Sequence, residues 1–91
     1  MMDKQAIGLA RRAYEACVCA AAQRENGDLL AAEVNEARAE ESVRGMVRDF
    51  GVPRGVAEDV MTYAVCGVAW DDVVRNMECD TRSIRAEGGD A

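Results

Sequence analysis

Apolar and polar positions follow a helical period along most of this chain. Between residues 3 and 24, Ile7, Ala10, Tyr14, Cys17 and Ala21 recur at spacings of three and four. That spacing gathers them into one stripe on a helix. Ala6, Ala13 and Ala20 widen the stripe, and Arg11, Arg12, Glu15 and Gln23 lie away from it. Small residues on such a stripe let another helix approach closely. Asn26-Gly27 then favours a left-handed turn, and Asp28 is a good N-cap. A second helix is therefore predicted to fold straight back, giving an antiparallel helical hairpin. The flanking helical period rules out the β-hairpin that Asn-Gly also serves.

The second helix is predicted over 29–50 and carries two stripes. Leu30, Val34 and Ala37 form one; Ala39, Val43, Met46, Val47 and Phe50 form the other. The step from 37 to 39 swings about 200° around the axis. Either the helix breaks near Glu40–Ser42 or one unbroken helix meets different neighbours at its two ends. The unbroken helix is the reading adopted, and a second copy of the chain is a natural extra neighbour. Gly51 suits the position after a helix end, and Pro53 the first turn of the next. A third helix over about 53–66 turns Val56, Val60, Tyr63 and Ala64 inward. Cys66-Gly67 stops it. A fourth, over about 69–79, buries Trp70, Val73, Val74 and Met77. Residues 80–91 lose the period. The fold predicted is all-α: one four-helix domain over 1–79 and a disordered acidic tail over 80–91.

Composition sharpens this picture. A chain of 91 residues holds one domain. Its apolar residues make up 49% of the chain but include one Phe, one Trp and two Tyr. Alanine favours helix yet buries little area, and a core so thin is often completed by a partner or a homodimer. No apolar run is long enough to cross a bilayer, and no basic-then-apolar signal pattern opens the sequence. A cytoplasmic protein is expected. Its four cysteines, Cys17, Cys19, Cys66 and Cys79, then read as reduced thiols acting as small hydrophobes. Their spacing lacks the paired C-x-x-C of a zinc site. No metal or cofactor is expected.

Charge is the remaining signal. The chain has a net charge of −6, and most of it sits in two blocks. Residues 25–41 and 56–81 each carry six carboxylates against one arginine. Local structure accounts for some of these: Asp71 and Asp72 meet the positive end of a helix dipole, and Glu40 can pair with Arg44 at i+4. Glu33, Glu36 and Glu40 are harder to dismiss, because three like charges on one helix face repel. Together with Glu41, Glu58 and Asp59 they are the candidate partner-binding residues, suited to a basic surface that otherwise holds phosphates. Catalysis finds no support. There is no histidine, and the adjacent acids Glu40-Glu41, Glu58-Asp59 and Asp71-Asp72 diverge by about 100° on a helix.

Segment 43–64 resembles a helix-turn-helix: helix, Gly-Val-Pro turn, helix. The resemblance covers about a quarter of the chain and implies a DNA-binding regulator. The recognition helix it implies would expose Arg54, Glu58, Asp59 and Thr62, a poor match to a polyanion. In size and charge the chain resembles the small stand-alone proteins of phages and mobile elements, inhibitors of CRISPR machinery among them; that likeness is general and carries over no residue. The expected function is non-enzymatic: an acidic inhibitor or adaptor that binds a protein as a nucleic-acid mimic. The alternatives are a small transcriptional regulator and a helical chaperone or assembly subunit.

Overall fold

A computed structural model describes residues 2–88. It contains four helices and no strand among those residues: α1 (Lys4–Glu25), α2 (Leu29–Phe50), α3 (Arg54–Cys66) and α4 (Trp70–Gly88). Every turn between them is made at a glycine with positive φ: Gly27, Gly51 and Gly67. The clearest case is Gly51, at φ 64°, ψ 24°. Its N–H bonds to the Val47 carbonyl, and that of Val52 to the Met46 carbonyl. This closes the end of α2 in a conformation that costs a side-chain-bearing residue free energy. Asp3 and Asp28 cap α1 and α2, accepting from the N–H groups of Gln5 and Ala31.

The hairpin forms as the sequence predicts, and α2 is unbroken. Its two arms pack through very small side chains. Ala6, Ala10, Ala13, Cys17 and Ala20 are the buried positions of α1. Ile7 and Tyr14, which the spacing placed on the central line, are half-buried at its edge, and Ala21 is exposed. Close approach selects the smallest residues for the contact line and displaces larger ones to the flanks. On α2 the buried positions are Ala32, Ala39, Val43, Gly45 and Met46. A Cβ added at Gly45 would come within 3.3 Å of Leu9 Cδ1, which marks how near the arms lie.

Helix α3 rises from the base of the hairpin against both arms, and α4 returns antiparallel to α1. Trp70 stands beside Tyr14, with ring centroids 5.4 Å apart. The Tyr14 hydroxyl donates to the Val68 carbonyl at 2.6 Å. At the other end the Met2 N–H donates to Glu78. Met46, Met77, Val60 and Val73 are the largest fully buried side chains.

The fourth helix is longer than predicted. The spacing predicts a flexible tail from residue 80, whereas α4 continues to Gly88; the rest of that predicted tail, residues 89–91, lies outside the described residues. Thr81 continues the inward line of Val73 and Met77 at i+4 and is 6% exposed, so a polar residue on the core side hid the period. Its Oγ1 has no hydrogen-bond partner. Thr81→Val keeps the shape and removes a desolvated hydroxyl. It should raise stability by about 1 kcal/mol, or melting by roughly 5 °C, in thermal unfolding followed by circular dichroism. A fall in melting temperature instead would mean that the hydroxyl bonds the Met77 carbonyl in solution.

Candidate functional site

Helix lengths create the site. The arms of the hairpin, at 22 residues each, run about 33 Å. Helix α3 has 13 residues and runs about 20 Å. It stops beside Cys17 and Ala21, and the outer part of the hairpin is left without cover on that side. A groove of about 570 Å³ opens there. Its floor is Cys17, Ala20 and Ala21 of α1; Met61 and Val65 close it from α3, and Arg24, Glu36 and Glu40 form its rim. Val65 is 68% exposed, a large apolar side chain held at the groove's edge in water.

The acids of α2 divide into two sets. Glu33, Glu36 and Glu40 follow i, i+3, i+7 spacing and share the side of α2 that faces the groove. Glu36 is held by Arg24, whose Nε and Nη2 donate to its two oxygens at 2.8 and 2.6 Å. The fork holds the Glu36 carboxyl below its ordinary range and Arg24 above its own. Because the folded-state pKa of Glu36 is depressed, its contribution to stability is full above the ordinary glutamate range. It is lost as pH falls through the depressed value. Glu33 and Glu40 have no ion-pair partner among the described residues, and both are exposed.

Glu41 lies around the helix from these, beside Arg12, Glu15 and Arg38. Arg44 pairs with Glu41 at 3.4 Å rather than with Glu40, the partner the sequence suggested. Glu58 joins Glu40 in a second groove between α2 and α3, where Arg44, Arg48 and Arg54 also converge. Three cations against two acids give that groove a mixed lining, not the continuous basic track that phosphates need. Asp59 faces the other way, towards Tyr63 and Asp80. Burial first, then the charges of these two acids, raise the Tyr63 phenol above its ordinary value. The six candidate residues therefore occupy three faces, and only Glu33, Glu36, Glu40 and Glu58 fall along the α2–α3 side.

The groove floor adds a residue that the charge reading missed. Cys17 is buried, and burial, followed by the carboxylates of Glu36 and Glu40, pushes its thiol pKa up. It stays protonated at neutral pH and serves as apolar surface rather than as a nucleophile. Cys19, Cys66 and Cys79 are exposed free thiols. Among the described residues, no group of three His, Cys, Asp or Glu side chains is placed to hold a metal ion, and no helix is long and apolar enough to cross a membrane. No protein-family model matches the chain, and no curated protein or solved structure is similar to it.

Proposed function

We propose that this chain is a non-enzymatic, cytoplasmic protein-binding module, an inhibitor or adaptor. Its groove between α1, α2 and α3 receives a basic amphipathic segment of a partner. One observation carries the reading: an apolar floor lies directly beside the unpaired Glu40 and the Arg24-held Glu36, with Glu33 one turn further along α2. An apolar side chain of the partner covers Cys17, Ala21, Met61 and Val65. Lysines or arginines next to it meet Glu40 and Glu33, and Glu36 is already oriented by Arg24. Glu58 extends the acidic track along α3. A partner surface of this kind is one that otherwise contacts nucleic acid, so occupying it blocks or redirects that surface. Charge supplies the encounter rate and the choice of partner, and the apolar floor supplies the area.

Co-purification of partners from the native host, with wild type and variants compared over a salt series, tests this. Glu33→Lys with Glu40→Lys should weaken capture of the partner by about a hundredfold, since like charges across an interface cost several kcal/mol. Val65→Glu should do the same by spoiling the floor. Both variants should keep wild-type helicity by circular dichroism. Capture of the same protein by the double variant would overturn the proposal. A mobility shift of DNA at low salt would favour the helix-turn-helix regulator, and partner binding indifferent to salt would favour the chaperone.

A further inference from the structure

A separate cavity opens at the end of the bundle away from the hairpin turn, where α4 passes the start of α1 and the turn between α2 and α3. Its volume of about 240 Å³ suits one small molecule. Met2, Phe50 and Val52 make an apolar side. The facing side is α4, whose Glu78, Thr81, Arg82 and Arg85 follow i, i+3, i+4, i+7 spacing and share one helix face. Earlier in α4 the inward positions Val73 and Met77 belong to the core; the lining becomes polar and charged where the cavity opens. Asp3 lines it as well, so two acids stand against two bases. They are not paired with one another. Glu78 and Arg82 have the spacing of a helical ion pair, yet neither Arg82 nor Arg85 has an ion-pair partner among the described residues. Glu78 instead accepts from the Met2 N–H at 3.3 Å and Asp3 from the Gln5 N–H at 2.7 Å, each through one oxygen. Thr81 is an independent sign of a ligand. It lines the cavity, is 6% exposed, and its Oγ1 has no partner. Buried hydroxyls without a partner are rare and costly.

We infer that this cavity binds a free α-amino acid with an apolar side chain. The balance of charge selects a zwitterion. A lone carboxylate would face Asp3 and Glu78, and a lone amine would face Arg82 and Arg85; a molecule carrying both groups offers each pair its opposite. The ligand carboxylate meets the guanidinium groups of Arg82 and Arg85 at the exposed mouth and accepts from Thr81 Oγ1. Its ammonium donates to the second oxygens of Asp3 and Glu78, which their backbone bonds leave available. The apolar side chain rests on Met2, Phe50 and Val52. A hydroxyl that costs stability in the free protein then has a partner in the bound one. The site shares no lining residue with the groove of α1, α2 and α3. It joins the start of α1, the α2–α3 turn and α4, so occupancy raises the stability of the folded chain by mass action.

Isothermal titration calorimetry of the full chain with L-leucine, L-methionine and L-phenylalanine tests this. Isocaproate, which is leucine without its ammonium, and isoamylamine, which is leucine without its carboxylate, are the controls. At least one of the amino acids should bind at a single site per chain and raise the melting temperature, and neither control should bind measurably. Arg82→Gln and Thr81→Val should each weaken binding by about tenfold, the loss expected for one hydrogen-bonding group. Both should keep wild-type circular dichroism, so that the loss is of contact and not of fold. Absence of saturable heat with all three amino acids at millimolar concentration overturns the inference. So does binding of either control as tight as that of the amino acid, or binding undiminished in either variant.

Discussion

Met46→Ala is expected to lower the unfolding free energy by about 2–5 kcal/mol. Met46 is one of the largest fully buried side chains, at 0% exposure. It lies in the cluster that joins α1, α2, α3 and α4. The other members are mostly Ala and Val, which are too short to reach into the space it fills. The cavity therefore persists, and the loss includes the missing contacts as well as the transfer term. A domain of this length commonly has about 5–14 kcal/mol in hand, so the change removes a large share. Urea denaturation should give a lower midpoint with an unchanged slope. Met46→Leu keeps the volume and should cost less than about 1.5 kcal/mol. Equal losses for the two variants would contradict this account of the core.

Ala13→Leu is expected to destabilise by about 1–3 kcal/mol, although leucine is apolar and a good helix former. Ala13 is 0% exposed on the contact line of the hairpin. Three added carbons have no free space there and must push α2 away from α1. Ala22→Leu, on the exposed side of the same helix, should change stability by no more than about 0.5 kcal/mol. The contrast separates close packing from propensity in the same denaturation measurement. The displacement would also disturb the Arg24–Glu36 fork, which spans the same two helices, and so misplace the groove's rim. Binding and stability should fall together at Ala13, whereas Val65→Glu should affect binding alone.

The architecture was legible because each glycine turn is a local event. Asn26-Gly27-Asp28, Gly51-Val52-Pro53 and Cys66-Gly67 announce their conformations within a few residues, and the hairpin follows from the first. What sequence reasoning blurred were the places where alanine is involved. Alanine reads as apolar on every face, so spacing puts Ile7 and Tyr14 on the line with Ala10 and Cys17, whereas the structure completes that line with Ala6, Ala13 and Ala20. The length of α4 was hidden because Thr81, a polar residue, takes a core position. On α2, the shared face of Glu33, Glu36 and Glu40 follows from helix geometry alone, as does the separation of Glu41 from Glu40. The Arg24–Glu36 fork and the groove do not. The first crosses a turn between two helices, and the second depends on where α3 stops relative to Ala21. Both are products of packing, which spacing within a single segment does not encode.

The stop of α3 short of the hairpin's end has a mechanical consequence. Beyond Val65 each arm has only the other to lean on, so the outermost turns open and close at a smaller local free energy than the base, where a third and a fourth helix share the load. A guest seated on Cys17 and Ala21 would brace that loose end as α3 braces the rest. Ordering the end costs entropy, which a well-fitted guest offsets through its contacts and a poorly fitted one does not, so the softness of the tip becomes a filter on what may bind there.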